Sequence, residues 1–363
     1  MRIAVLGGGN GSFAAAGDMA LAGHAVRLWR RDRAAVEAHN AAGGTILVKD
    51  FRGRHEAKLA LVTNDIAAAV RGTELILCPT PATAQGGIAR ALSSHLVDGQ
   101  VVFLPPGTFG SYVFAKAVRD ARNRADVAFA ETGTLPWLAR KHGPHEVAIT
   151  IRARRLPTGV LPLRLKDRAL KVIGAAFPGA IEDCGDALSA ALMNAGPIIH
   201  PPLIVMNAAP LEHFPRWDIH KEGTQASVRR VTDALDAERI AVREALGYGA
   251  PHFPLRDHYA REGEEWMYGR GSHEKLTDSG DWREAIVLTQ HRYMLEDVRI
   301  GLSFLVSVGE LAAVPTPLAR AFLAIGGAIC GEDLLRTGRT LASLGLGDLD
   351  RAALQQLLAE GLT

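Results

Sequence analysis

Three side chains in the second half of the chain are candidates for proton transfer and substrate binding. His200 lies in an otherwise apolar stretch, NAGPIIHPP over 194–202, and histidine is a common general acid and base because it titrates near neutral pH. Arg292 precedes Asp297 by five residues. A guanidinium can bind a carboxylate through two hydrogen bonds, and a carboxylate can orient a catalytic imidazole. The alternatives are a buried structural histidine and a solvated helix pair.

The start of the chain has a pattern that suits phosphate binding. The largely apolar run Arg2–Leu6 predicts a buried strand, GGGNGS follows at 7–12, and small helix-forming residues come next. Gly7 and Gly9 match the first two glycines of the dinucleotide pattern G-x-G-x-x-G/A, and Ser12 occupies the third position. A glycine-rich turn without a ligand is the alternative. The predicted cofactor-binding residues of this turn are Gly7, Gly9, Asn10, Gly11 and Ser12.

The residues after the second predicted strand, 24–29, should lie beside the adenosine ribose. Arg30, Arg31 and Asp32 follow that strand. An acidic residue at this place usually binds the ribose 2′-hydroxyl of NAD(H), whereas arginine accommodates the 2′-phosphate of NADP(H). Two arginines favour NADP(H), with NAD(H) as the other cofactor considered. Two solvated loop arginines are the alternative.

Strands and helices alternate along the first half of the chain, which predicts a doubly wound, mainly parallel α/β sheet of the Rossmann type. Strands are predicted at 2–6, 24–29, 58–62, 73–78, 101–104, 127–130 and 146–151. Helices are predicted at 12–22, 66–70, 82–96, 111–123 and 163–177. Ligands of such sheets bind at the carboxyl ends of strands, so Pro79 and Thr80 are predicted to contact the cofactor and 131–137 to face the same crevice.

The second half of the chain has helical periodicity instead. Helices are predicted at 186–193, 201–207, 224–246, 281–297, 302–311 and 318–344, with Pro201 in the first turn of its helix. The segment 247–280 is predicted to be a long functional or mobile loop. We therefore expect a cofactor-binding domain at 1–182 and an all-α substrate and catalytic domain at 183–363.

Composition narrows the class of partner. The chain has 363 residues, with 41 basic and 39 acidic side chains, which does not suggest nucleic acid or a membrane surface as a partner. No basic-then-apolar leader and no membrane-length apolar run is visible. Cys78, Cys184 and Cys330 lie far apart, which argues against disulfides and a metal site. We expect a cytoplasmic protein that binds small molecules, with a homodimer as the assembly considered.

Most of the thirteen histidines should have no catalytic role. Six of them lie among charged or loop residues in the sequence. These six are predicted to be surface side chains: His24, His39, His55, His95, His142 and His145.

Four segments together resemble the opine dehydrogenase family, of the octopine/nopaline dehydrogenase type, within the superfamily of glycerol-3-phosphate and 6-phosphogluconate dehydrogenases. They are the glycine turn, the segment Glu131-Thr132-x-Thr134-Leu135-Pro136, Asn194 with His200-Pro201, and Arg292 with Glu296-Asp297. The sequence departs from the family pattern at three positions: Ser12 replaces the third glycine, Trp137 a tyrosine, and Arg299 a proline.

The resemblance implies an N-terminal Rossmann domain and an all-helical C-terminal domain. It also implies NAD(P)H-dependent condensation of a 2-oxo acid such as pyruvate with the amino group of an amino acid, and reduction of the imine. His200 would be the general acid and base, Asp297 its partner, and Arg292 a carboxylate ligand. Asn194 and Thr132 would also contact substrate.

Two other functions remain open at this stage. A reductase of a simple ketone, resembling glycerol-3-phosphate dehydrogenase, would use a lysine just before the asparagine, but Met193 precedes Asn194 and a thioether cannot transfer a proton. The other is a non-catalytic NAD(P)-sensing protein.

Overall fold

A computed structural model describes residues 1–362, which divide into two compact units. The first comprises 1–80, 84–191 and the stretch from 357 onward; the second comprises 81–83 and 192–356. The sequence places the boundary at 182, nine residues before the structural one. The difference arises because the strand Ile181–Asp186 pairs in parallel with Leu156–Leu161 and so belongs to the sheet of the first unit.

An eight-stranded sheet forms the core of the first unit. Its strands are short and largely apolar, as expected for strands covered on both faces. In spatial order they are β12 (Ile181–Asp186), β11 (Leu156–Leu161), β8 (Ala128–Thr132), β7 (Val101–Leu104), β6 (Leu75–Leu77), β1 (Arg2–Leu6), β2 (Ala25–Trp29) and β5 (Leu61–Thr63). All neighbours are parallel except β11 and β8.

A second sheet of four strands packs against the first helix, α1 (Asn10–Leu21). Its order is β4 (Gly53–Lys58), β3 (Thr45–Asp50), β10 (Glu146–Arg152) and β9 (Trp137–Gly143). A Cβ atom on Gly17 would lie 2.5 Å from the side chain of Val48, so this helix can approach the sheet only with glycine there. The other helices before residue 191 are α2 (Arg33–Ala41), α3 (Ile66–Val70), α4 (Ala82–Leu92), α5 (Gly110–Asp120), α6 (Lys166–Ala176) and α7 (Ala187–Ala191).

The doubly wound, mainly parallel sheet is confirmed, and its central strands lie within a few residues of their predicted bounds. The prediction at 58–62 is wrong because β4 ends at Lys58 and β5 begins only at Leu61. Strands β3, β4, β9, β11 and β12 are not predicted. Strand β11 contains Pro157, which lacks a backbone donor, and β12 is polar and forms the edge of the sheet.

Two other predictions in this unit are corrected. His39 is buried rather than on the surface: its Nε2–H donates to the carbonyl oxygen of Thr45 at 2.8 Å and its ring stacks on His145. Glu131 does not line a crevice but is fully buried, and its carboxylate accepts hydrogen bonds from the backbone N–H groups of Phe109 and Ser111 at the start of α5.

The second unit is helical apart from a two-stranded ribbon, β13 (Trp217–Asp218) with β14 (Arg283–Glu284). Its helices are α8 (Gly196–Val205), α9 (Ala208–His213), α10 (Ala226–Ala245), α11 (Arg256–Tyr259), α12 (Ser272–Asp278), α13 (Ser303–Ala312), α14 (Pro317–Cys330) and α15 (Leu334–Thr337). A π-helix, Tyr293–Leu302, runs directly into α13. The last helix, α16 (Arg351–Glu360), is not predicted from the sequence.

Three predictions for the second unit are wrong in detail. Pro201 lies inside α8, and Pro197 occupies its first turn. The segment 281–297 is not one helix, because helical geometry begins at Tyr293. The segment 247–280 contains α11 and α12 and buries a set of large side chains, which explains why it has so many aromatic residues: Phe253, Leu255, Trp266, Met267, Tyr268 and Leu276.

One stretch, Ala187–Val205, is long and apolar enough to cross a membrane. It consists of α7 and α8, and 72% of its most apolar part is buried inside the protein. Its apolar character is therefore explained by the protein core.

Candidate active site

The glycine turn between β1 and α1 requires glycine at Gly7 and is crowded at Gly11. Gly7 has φ of 123°, and a Cβ atom there would lie 2.5 Å from Ser12 Oγ and 2.9 Å from Thr80 Cγ2. A Cβ atom on Gly11 would lie 3.1 Å from the carbonyl oxygen of Pro79. The structure therefore brings Pro79 and Thr80, at the end of β6, against the predicted glycine turn.

The remaining residues of the turn suit an anionic ligand. Gly9 is exposed, and a Cβ atom there would have no neighbour within 4 Å, so its backbone borders open space. Asn10 begins α1, whose first backbone N–H groups have no partner within the helix and attract anions. Ser12 is buried and donates to the carbonyl oxygen of Leu6 at 3.3 Å, so this small polar side chain replaces glycine without crowding the turn. A dinucleotide pyrophosphate fits this arrangement.

The two arginines after β2 are in different environments. The guanidinium of Arg30 lies 5.4 Å from the ring centroid of Phe13 and donates to the carbonyl oxygen of Ala35 at 3.1 Å. Arg31 is exposed. Asp32 caps α2 by accepting a hydrogen bond from the backbone N–H of Ala35. One arginine is therefore held in place and the other extends into solvent.

His200 and Asp297 form a close pair, although they are 97 residues apart in the chain. His200 lies in the middle of α8 and Asp297 in the π-helix. The Nδ1 atom of His200 lies 2.7 Å from Oδ2 of Asp297, and because a carboxylate accepts, the imidazole donates. The side chains are only 13% and 5% exposed. Burial raises the pKa of Asp297 to about 7, with Arg292 opposing the shift.

Two glycines allow α8 to approach the π-helix this closely. A Cβ atom on Gly196 would lie 2.3 Å from Oδ1 of Asp297. A Cβ atom on Gly301 would lie 2.2 Å from the ring of Pro197. Any larger residue at either position would push the two helices apart and lengthen the hydrogen bond of the pair.

Tyr293 lies between the histidine and the arginine. Its ring stacks on His200 with centroids 3.9 Å apart and planes inclined by 20°. The guanidinium of Arg292 lies 4.7 Å from the centroid of the same ring, and 48% of the Arg292 side chain is exposed. Desolvation lowers the pKa of Arg292, but Tyr293 and the nearby carboxylates more than offset it, so the net shift is upward. Arg292 therefore keeps its charge next to His200 and can still reach a ligand.

Glu296 is the second buried carboxylate of the π-helix. Its Oε1 accepts a hydrogen bond from the backbone N–H of Ala82 at 2.8 Å, and its Oε2 lies 3.6 Å from Nη1 of Arg292. Burial and the nearby Asp297 raise its pKa to about 7, against the opposing effect of Arg292. In a π-helix, residues four and five apart share a face, so Arg292, Glu296 and Asp297 lie together.

Two predicted substrate ligands have structural partners of their own. Asn194 is buried and accepts a hydrogen bond from the backbone N–H of Gly196 at 3.0 Å, which places it at the start of α8 close to Asp297. Thr132 is fully buried in β8, and its hydroxyl donates to the carbonyl oxygen of Pro157 at 2.8 Å. Thr132 therefore lies inside the sheet of the first unit, where its hydroxyl bonds to the neighbouring strand.

Sequence reasoning missed several neighbours of the pair. Tyr293 and His220 belong to no motif identified in the sequence, and Glu296 was part of the family resemblance without an assigned role; the His220 ring centroid is 6.0 Å from that of His200, edge to face. The signal in the sequence was the spacing of Arg292, Tyr293, Glu296 and Asp297, which is also typical of an ordinary α-helix. No cluster of three or more metal-ligating side chains occurs within residues 1–362.

The chain is similar to known proteins along most of its length. A family model described as NAD/NADP octopine/nopaline dehydrogenase, alpha-helical domain, matches residues 183–330. The opine dehydrogenase of Arthrobacter sp. (strain 1C) is 30% identical over 363 residues, covering 97% of each chain. The vitopine synthase of Allorhizobium ampelinum is 27% identical, covering 95% of this chain and 96% of the relative.

The fold is shared with a solved enzyme. The structure of octopine dehydrogenase in complex with NADH and agmatine has a TM-score of 0.73 at 18% identity, and the match covers 98% of each chain. At this identity the likeness shows the fold, with its N-terminal Rossmann domain. Because 30% identity to a curated relative extends over almost the whole length, the chain belongs to the opine dehydrogenase family of NAD(P)-dependent oxidoreductases, of the octopine/nopaline dehydrogenase type.

Proposed function

We propose that this protein condenses a 2-oxo acid such as pyruvate with the amino group of an amino acid and reduces the imine to a secondary-amine dicarboxylate, and that it catalyses the reverse oxidation. The observation that carries the proposal is the buried His200–Asp297 pair with Arg292 one ring away. The glycine turn would hold NAD(P)H, whose chemistry when bound is hydride donation.

His200 would manage the substrate proton. When the amine adds to the oxo acid, a C–N bond forms and the carbonyl oxygen leaves as water, which requires a proton donor. Asp297 accepts from Nδ1, so Nε2 is the atom that we assign to proton exchange with the substrate. The carboxylate would also stabilise the imidazolium whenever the imidazole carries the substrate proton.

Arg292 would bind a substrate carboxylate. Both substrates carry one, and a guanidinium can bind it through two parallel hydrogen bonds. Its half-exposed side chain lies over Tyr293, which itself covers His200. A carboxylate bound there would hold the reacting carbon near the imidazole. Asn194 is a further ligand that we propose on the same side of α8.

NADP(H) is the cofactor that we favour over NAD(H). Arg30 is held beside the glycine turn, and Arg31 follows it in solvent. The acidic residue that would bind a ribose 2′-hydroxyl, Asp32, is engaged as the cap of α2. We further assign cofactor binding to the first unit, predicted from the sequence at 1–182, and substrate binding and catalysis to the second, predicted at 183–363.

We propose a cytoplasmic location and small-molecule partners only, with a homodimer as the assembly to test. The three cysteines, Cys78, Cys184 and Cys330, form no disulfide bond within residues 1–362, which supports a reducing compartment.

The test is an incubation of the purified protein with NADPH or NADH, pyruvate and single amino acids, with loss of reduced nicotinamide absorbance and mass spectrometry of the products as readouts. We expect an N-carboxyethyl amino acid to form only when both substrates are present. Oxidation of the cofactor with the oxo acid alone would indicate a keto reductase, and binding without oxidation would indicate a sensing protein.

A further inference from the structure

A hairpin outside the main sheet holds a lysine over the glycine turn. The backbone N–H of Lys141, in β9, donates to Oδ1 of Asn10 at 3.0 Å, which fixes the strand against the first residue of α1. The Nζ atom of Lys141 donates to the carbonyl oxygen of Gly8 at 3.4 Å and lies 3.8 Å from the ring centroid of Phe13. Two contacts thus hold the ammonium group beside the turn, and a third fixes the backbone that carries it.

Arg30 reaches the same place from the end of β2. Its guanidinium lies over the same Phe13 ring, and a Cβ atom on Gly8 would be only 3.1 Å from Nε of Arg30. Lys141 and Arg30 therefore converge on one glycine and one aromatic ring, although they come from different sheets.

The two cations lack an acidic partner. Over residues 1–362 neither Arg30 nor Lys141 takes part in an ion pair, and Asp32, the carboxylate whose charge acts on Arg30, caps α2. Burial lowers the pKa of Lys141, and the charge of Arg30 lowers it further; both cations also lower the pKa of His145. Like charges held together without compensation favour binding of an anion, since an anion relieves their repulsion.

We propose that Lys141 binds the 2′-phosphate of NADP(H) together with Arg30, so that the β9–β10 hairpin takes part in choosing the cofactor. The position suits this phosphate because the residue after β2 lies beside the adenosine ribose. An ammonium carries three donors, of which Gly8 uses one. This inference rests on the NADP(H) preference proposed above.

Calorimetric titration of the purified full-length protein, without substrate, tests the inference directly. The probes are adenosine 2′,5′-bisphosphate and 5′-AMP, which differ only in the 2′-phosphate. The variants are Lys141→Met, which keeps an apolar side chain over Phe13, and Lys141→Arg, which keeps the charge. Lys116→Met is the matched control, since Lys116 is an exposed lysine that pairs with Asp120 on α5.

We expect Lys141→Met to weaken the bisphosphate about tenfold or more, as for loss of a charge-assisted hydrogen bond, and to change 5′-AMP by less than about twofold. Lys141→Arg should retain most of the bisphosphate affinity, and Lys116→Met should match the wild type. The same order should appear for NADPH against NADH, and the difference should shrink at high salt.

If Lys141→Met lost equal affinity for both probes, Lys141 would belong to the 5′-phosphate side of the cofactor and the inference would be overturned. An unchanged affinity of this variant for the bisphosphate would also overturn it. A wild type that binds the two probes equally would contradict the NADP(H) preference itself. Because the titration needs no turnover, absence of opine synthesis would leave its result readable. Thermal unfolding of each variant checks that it is folded, and Lys141→Gln replaces Lys141→Met if that variant is not.

Discussion

The glycine turn and the histidine–carboxylate pair are built from different parts of the chain. The turn lies within six consecutive residues, Gly7 to Ser12, and offers backbone groups with no ionisable side chain among them. The pair joins two helices, and its atoms are buried ionisable groups from positions 97 residues apart. Backbone groups can bind a phosphate but cannot exchange protons. Substitutions in the glycine turn should therefore change cofactor affinity. Substitutions in the histidine–carboxylate pair should change the rate of the chemical step.

The largest effect is expected for His200→Ala. General acid–base catalysis typically contributes about 10²–10⁴ in rate, so turnover should fall by about that factor. Affinity for NADPH, measured by fluorescence titration, should stay unchanged because His200 belongs to the second unit. An active His200→Ala variant would remove the histidine from the mechanism.

Asp297→Asn tests whether the pair acts as one unit. The variant should retain only part of the wild-type rate, because the amide neither fixes the tautomer of the imidazole nor stabilises its positive charge. Combining it with His200→Ala should then add little further loss, whereas independent roles would multiply the two losses. Single-turnover rates of the three variants distinguish these outcomes.

Arg292→Lys should cost about 10²-fold in kcat/KM for the oxo acid, because an ammonium cannot reproduce two parallel hydrogen bonds to a carboxylate. The substitution keeps the charge, so a role limited to the ion pair with Glu296 would change the kinetics very little. Arg320→Lys is a suitable control, since Arg320 pairs with Glu310 on the exposed surface of the second unit. Near-native kinetics for Arg292→Lys would contradict the two-point contact.

The contrast between the regions also explains what the sequence could predict. The turn could be predicted because its strand, glycines and helix are contiguous in the sequence, so that a local pattern determines its backbone conformation. Pairing of His200 with Asp297 followed from their chemistry and from a family resemblance. No local rule reports that Gly196 and Gly301 are the residues that let their helices meet.

The π-helix was the least predictable element. Apolar residues at helical spacing predicted one long helix at 281–297. A period of 3.6 residues would place Arg292 and Asp297 on different parts of that helix surface. Strand β14 and the π-helix replace it, because Arg283 and Glu284 pair with a distant strand. Tertiary pairing of this kind leaves no trace in the local pattern.

Glu296→Gln should change the pH dependence of stability. Burial raises the pKa of Glu296 from 4.5 to about 7, so between these values the folded protein keeps a proton that the unfolded chain has lost. Folding stability should therefore fall as pH rises from about 4.5 to about 7 and stay level above that range. Glutamine carries no charge and can still accept from Ala82.

Urea unfolding at pH 5 and pH 8 measures this effect. The wild type should lose about 2 kcal/mol more than Glu296→Gln between the two values. Glu37→Gln is the control, because Glu37 is exposed and pairs with Arg33 within α2. Parallel pH profiles for wild type and Glu296→Gln would show that Glu296 stays charged in the folded protein.

No buried carboxylate lies in the glycine turn, so variants of the turn should keep the wild-type dependence of stability on pH.

The smallest effect on the kinetics is expected beside the glycine turn, for the double variant Arg30→Ala and Arg31→Ala. A charge-assisted contact to a phosphate contributes roughly 1.5–3 kcal/mol, so the ratio of KM for NADPH to KM for NADH should rise about tenfold or more. Arg30 should account for most of it, since it is already held over Phe13 and bonded to Ala35, whereas Arg31 is exposed and must lose more side-chain entropy on binding. The two single variants separate these contributions. Equal changes for both cofactors would mean that the arginines do not contact the 2′-phosphate. Turnover of each variant at saturating NADPH should remain that of the wild type, because the groups that transfer protons lie on other elements.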